Sequence, residues 1–145
     1  MPYDIHSGIA GIWAGVSLGG ALVAAPAKFT VPALSLEVGL QVGRAQFYWV
    51  GMIEITLCAV LIASIVFLKI PKWYWSLLPI SILVVQQIFV MPFLSDRTTQ
   101  IVAGEIVSSS SIHIFYIALE IIKCGSLAML GLGVLKIGEH PIDNI

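Results

Sequence analysis

Charge is what this sequence has least of. Of its 145 residues, 10% are Asp, Glu, Lys or Arg and 59% are hydrophobic, with a mean hydropathy of +1.01. A soluble globular domain carries about a quarter charged residues, so that class is excluded. The formal net charge is −1 and there is no basic tract. No run of basic residues is available to neutralise a phosphate backbone, so no nucleic-acid partner is expected. Only Cys58 and Cys124 are present. Both fall in apolar runs, which excludes an extramembrane disulfide framework. There is no HxxxH and no CxxC. One of the three histidines, His113, lies inside an apolar run, so paired-histidine haem ligation is not expected.

What the chain has instead is four apolar runs, at 8–25, 45–68, 75–94 and 112–135. Each is near or above the ~18 residues needed to cross the hydrocarbon core. The expected fold is all-α: an integral membrane four-helix bundle forming one domain, with a short interfacial segment between spans 1 and 2. The first run is preceded by "MPYDIHS", which has no Lys or Arg. That is wrong for a signal-peptide n-region, so the run is expected to be a span. It places Gly8, Gly11, Gly15 and Gly19 on one stripe, a pattern that suits close helix packing in the bundle or a dimer seam.

The segment 26–44 is ambiguous. "LSLEVGLQVG" alternates like a strand, but a lone strand at a bilayer would leave backbone groups unpaired. A short interfacial helix starting after Thr30, with Pro32 in its first turn, is the better expectation. "KIPKWYW" is short enough to make spans 2 and 3 an antiparallel hairpin. Its Lys69, Lys72, Trp73, Tyr74 and Trp75 form an interface anchor. Lys69, Lys72 and Lys136 lie on the face holding both termini, and Lys28, Arg44 and Arg97 on the other. With the terminal amine counted, this leans towards both termini being cytoplasmic.

Four ionisable or polar residues interrupt the last run. His113, Tyr116, Glu120 and Lys123 share a helical stripe roughly 80° wide, and Glu120 and Lys123, three apart, can pair. Counted from the face of loops 1 and 3, Glu120 is ~12 Å deep and Glu54 ~14 Å. Gln86 and Gln87 are at ~10–12 Å and Ser17 at ~12 Å. All four spans thus place polar groups at one level, where lipid would penalise each separately. The same-side rim supplies Arg44, Asp96, Arg97 and Glu105, so a polar pocket opening towards loops 1 and 3 is expected. Spans 2 and 4 also share a short pattern, Phe-Tyr followed by Glu-x-x-x-Cys: Phe47-Tyr48 with Glu54 and Cys58, and Phe115-Tyr116 with Glu120 and Cys124.

This layer admits several readings. It can simply hold helices together, at about 0.6 kcal/mol per polar contact. Glu54, Glu120, His113, Cys58 and Cys124 offer donors that suit zinc or copper. Carboxylates and a histidine at one depth are also raw material for a proton or small-solute path. Four helices are few for a complete channel, which would call for a homo-oligomer. No nucleophile–base pair is recognisable, so the sequence leans away from an enzyme.

"MPFLSDRT" and "HIFYIALEIIK" resemble the Pro-x-Leu-x-x-Arg and His-x-x-Tyr-x-x-x-Glu-x-x-Lys signatures of small four-span membrane proteins of unknown function. These are distantly related to eukaryotic transmembrane proteins associated with platinum-drug resistance. "APAKF" and "VGRAQF" around the first loop add to the likeness. The resemblance implies a four-helix bundle with Arg44, Glu54, Pro92, Arg97, His113, Tyr116, Glu120 and Lys123 in motif positions, and it favours metal or solute handling. The third loop is much shorter than in the eukaryotic relatives. The expected function is binding or transfer of a small solute, proton or metal ion. The alternative is an accessory subunit of a larger membrane complex.

Overall fold

The computed structural model describes residues 2–107 and 111–133, which form helices and connecting turns without a strand. Four helices are long and apolar enough to cross a membrane: α1 (Pro2–Thr30), α2 (Leu36–Leu68), α3 (Trp73–Val102) and α4 (Ile112–Gly131). The chain is an all-α membrane bundle. Every helix except α4 runs well past its apolar run, because hydropathy marks the hydrocarbon and backbone hydrogen bonding continues beyond it. The end of the fourth run at 135, Lys136, His140, and Ser108 to Ser110 lie outside the described residues.

The separate interfacial helix expected after Thr30 is instead the first turns of α2. Ser35 starts it: its backbone is extended and its hydroxyl accepts from the Val38 N–H at 3.3 Å, an N-cap. Pro32 sits in the turn before that cap. No proline interrupts the 33 residues that follow, so the helix never has to break. At 1.5 Å per residue α2 is about 50 Å long, some 20 Å more than a hydrocarbon core. The other end of α2 is tied to the Lys69–Trp75 anchor, so the surplus projects at the loop 1 face.

Two helices widen locally into π-helix, α1 over Leu18–Ala24 and α3 over Gln86–Val90. Such turns shift the facing of everything that follows and are frequent beside functional side chains. Here one follows Ser17 and the other begins at Gln86.

The backbones of α1 and α4 approach closely at two glycines. A Cβ on Gly131 would lie 2.9 Å from the Gly11 Cα and 3.0 Å from its nitrogen. Of the glycine stripe, Gly11 alone joins this contact. At Gly8, Gly15 and Gly19 an added Cβ would meet nothing within 4 Å among the described residues, so no close helix contact among these residues uses them. Gly20, off that stripe, instead receives the Val50 side chain of α2, whose Cγ2 would be 2.7 Å from an added Cβ. The apolar core has two parts. One is built on Ala10, Trp13, Leu61, Leu83 and Leu127. The other, nearer the loops, is built on Ala21, Val90 and Tyr116.

Candidate functional site

Between these two parts lies a polar cluster contributed by all four helices, its charged members coming from α2 and α4. Lys123 of α4 is at its centre, 0% exposed, with Glu120 at 0%, Gln86 at 1% and Glu54 at 2%. The Lys123 ammonium is 2.7 Å from Glu54 Oε1 and 3.0 Å from Glu120 Oε2. Its third donor goes to Gln86 Oε1 at 2.9 Å, and Gln86 Nε2 donates onward to Glu120 Oε2 at 2.8 Å. The glutamine amide thus has each end used by a group of the matching kind. Glu54 Oε1 also accepts from the Ser17 hydroxyl at 2.5 Å and the Trp13 indole N–H at 3.1 Å, both on α1.

The two carboxylates differ in their surroundings. Glu54 Oε1 receives three donors, whereas Glu120 Oε2 receives two and Glu120 Oε1, fully buried, receives none. Among the described residues Lys123 is the one cation in the cluster, so two carboxylates share a single ammonium. Removing such groups from water is costly unless they are paired, which is why no member faces lipid.

The polar level expected from helical depth is therefore occupied by Ser17, Glu54, Gln86, Glu120 and Lys123. Other expected members lie elsewhere. Gln87 is half-buried and packs on Gly51, with its Nε2 2.7 Å from where a Cβ would be. Neighbouring residues on a helix point ~100° apart, so one of two adjacent glutamines has to turn away. Asp96 is exposed and Arg97 half-buried, and neither lines the cavity described below. His113 shares the angular face of Glu120 but lies two turns nearer the loops, where the helices part and its side chain is exposed.

The five donors that suit zinc or copper are not gathered at one point by this geometry. Among the described residues no three His, Cys, Asp or Glu side chains converge as ligands. Lys123 fills the space between Glu54 and Glu120, Cys58 is buried in the apolar core, and Cys124 donates to the Ala14 carbonyl at 3.6 Å. An ammonium between two carboxylates repels the cation that such a site would need. The Phe-Tyr pattern of spans 2 and 4 is not equivalent in space either. Tyr116, four residues before Glu120, is buried and stacks edge-on against Phe47 at 5.3 Å. Tyr48 is six before Glu54, about 240° round the helix, and is exposed.

On the loop side of the cluster is a partly open cavity of about 330 Å³, lined by Lys28, Arg44, His113 and Tyr116 among mainly apolar residues. Tyr116 forms its floor, one helical turn before Glu120. Of the residues expected in a pocket opening towards loops 1 and 3, Arg44, His113 and Tyr116 line this cavity, while Glu54, Gln86, Gln87, Asp96, Arg97, Glu120 and Lys123 do not.

A second polar node lies on the opposite side and was not expected, because His6 falls before the first apolar run. The structure carries α1 back to Pro2, leaving His6 3% exposed. Its Nδ1 is 2.8 Å from Ser64 Oγ of α2 and its Nε2 3.1 Å from Ser76 Oγ of α3. Ser64 donates to the Leu61 carbonyl at 2.7 Å. The Nδ1–H is then the donor to Ser64, and Nε2 of the neutral ring accepts from Ser76. The sequence does hold a signal: His6, Ser64 and Ser76 lie eleven, ten and ten residues from Ser17, Glu54 and Gln86. That is a common ~15 Å step on three helices. Leu61, Leu83 and Leu127 fill the gap.

Compared with known protein families, curated proteins and solved structures, the chain matches none.

Proposed function

We propose that this protein is a proton-handling membrane module, in which the Glu54–Lys123–Glu120 cluster exchanges a proton in step with a small solute taken into the cavity above it. One observation supports this most directly: two carboxylates and one ammonium occupy a single fully buried site. Fully ionised, the site has a net charge of −1, which is costly in a low-dielectric interior. One proton removes that charge without a new ligand. That proton belongs to the pair: removing either carboxyl leaves one acid against one ammonium and no charge to neutralise. Trp13, Ser17, Gln86 and Tyr116 are the other polar groups facing the site, and none adds a charge.

Infrared spectroscopy of the protein in lipid tests this. A carboxylic-acid C=O band at neutral pH, shifted by ¹³C-glutamate and absent from Glu120→Gln, is expected. Its absence from wild type would remove the basis of the reading. In liposomes with an internal pH indicator, proton movement is expected in wild type and should fall at least about tenfold in Glu54→Gln and Glu120→Gln.

The family resemblance is compatible with this reading: Glu54, Tyr116, Glu120 and Lys123, four of its motif positions, meet at or beside the cluster. In the proposed orientation both termini are cytoplasmic and the cavity faces the other side. A second reading, association with another copy or a larger membrane complex, rests on Gly8, Gly15 and Gly19, where an added Cβ would meet nothing within 4 Å among the described residues. Cysteine placed at Gly15 in a Cys58→Ala, Cys124→Ala background should then cross-link between copies; cysteine at Ile88, on another helix, should not.

A further inference from the structure

We propose that the cavity beneath loops 1 and 3 binds a single-chain amphiphile with an anionic head, a carboxylate or a phosphate monoester. The head would lie at Lys28 and Arg44 and the chain would run down towards Tyr116. Charge carries this first. Lys28 and Arg44 both line the cavity, and no Asp or Glu does. Their partners among the described residues are neutral. Lys28 Nζ has Gln46 Oε1 at 3.5 Å and the ring centroids of Phe29 and Phe47 at 5.2 and 5.6 Å. Arg44 donates one N–H to Thr99 Oγ1 at 3.0 Å. Two cations with neutral partners keep most of their attraction for an anion, and the guanidinium fork suits carboxylate and phosphate oxygens alike.

Position and shape agree. Arg44 lies in the part of α2 that projects beyond the hydrocarbon, so the cations sit at headgroup level. Below them the wall is apolar, from Ala25, Phe47, Met91, Leu94 and Ile117. A volume near 330 Å³ falls at the small end of ligand cavities and suits one chain rather than two. Gly43 contributes by having no side chain, because a Cβ there would collide with the Lys28 ammonium. This site uses residues separate from Glu54, Glu120 and Lys123; it deepens the proton reading by naming the class of solute the cavity takes, and its test does not depend on proton movement.

Native mass spectrometry of the full chain, released from nanodiscs of zwitterionic phospholipid, is the test. The probes are two matched pairs: a lysophosphatidic acid against the monoacylglycerol of the same chain, and a long-chain fatty acid against its alcohol. Each anionic member should be retained about tenfold or more over its neutral partner. The pair with the larger ratio identifies the head group. Lys28→Gln and Arg44→Gln should each reduce the preference, and together abolish it. Leu94→Trp, which fills the cavity from a half-buried position, should prevent retention of any probe. The carboxylic-acid infrared band, read on the same preparations, separates failure of this proposal from failure of the proton reading. Equal retention of neutral and anionic members would overturn the proposal. So would preference surviving the double substitution, retention surviving Leu94→Trp, or no retention by wild type. If the double variant fails to fold, the single variants decide by the same criterion.

Discussion

Glu54 and Lys123 meet at 2.7 Å across the α2–α4 interface, and that ammonium also serves Glu120, 3.0 Å away on its own helix. Because one cation answers two acids, removing an acid and removing the base have unequal consequences. Lys123→Met leaves two buried carboxyls facing each other without a counter-charge and should cost ~3–5 kcal/mol. Glu54→Gln leaves one balanced pair and keeps a carbonyl acceptor for Ser17 and Trp13, so its cost should be at most about 2 kcal/mol. Thermal unfolding in one detergent compares them directly. Equal losses would show that the charge count does not govern the site.

His6 bridges two helices through Ser64 and Ser76. His6→Ala leaves two buried hydroxyls with fewer partners and should destabilise by ~1–3 kcal/mol. Ser64→Ala in the His6→Ala background should then cost less than it does in wild type. A double-mutant cycle measures that coupling, and additivity would mean the bridge contributes nothing to stability.

The α1–α4 contact is asymmetric at the level of single atoms. An alanine methyl at Gly131 would press on the Gly11 backbone at 2.9–3.0 Å, whereas one at Gly11 would meet the Gly131 Cα at an ordinary 3.9 Å. Backbone cannot swing aside, so Gly131→Ala should cost ~1–3 kcal/mol. Gly11→Ala should be neutral or slightly stabilising through helix propensity. Unfolding midpoints of the two variants, side by side, decide it.

Trp13 is 0% exposed and bonded to Glu54, while Trp49, Trp73 and Trp75 are about half exposed or more. Lipids brominated along their chains quench indoles they can touch. A variant retaining Trp13 alone should keep nearly all its fluorescence in such lipids, and one retaining Trp49 alone should lose most of it. Strong quenching of the first would contradict the enclosed position of the cluster.

The bundle was legible because the bilayer sets a length and an apolarity that few other environments demand, and the runs ending at Leu68 and beginning at Ile112 show it. Helix ends were less legible, since hydropathy says where lipid is and not where hydrogen bonding stops. Ser35 caps α2 ten residues before the apolar run begins. Depth counting brought out Ser17, Glu54, Gln86 and Glu120, because a polar side chain in lipid needs partners at its own level. The same counting could not separate Gln86 from Gln87, which share a depth and differ in direction. For His113 the direction was right and the depth wrong. Trp13 was hidden because an indole counts as apolar until its N–H is asked for a partner. His6 was hidden because it precedes the run that was taken to define the span.

The leucine layer between the carboxylate cluster and the His6 node has an electrical consequence. Water standing in the cavity as far as Tyr116 would carry the potential of the loop-side solution almost to Glu120. Most of the voltage across the bilayer would then fall over the dry septum made by Leu61, Leu83 and Leu127, since a field concentrates where polarisable material is thinnest. The cluster would be coupled to the solution on one side and insulated from the other.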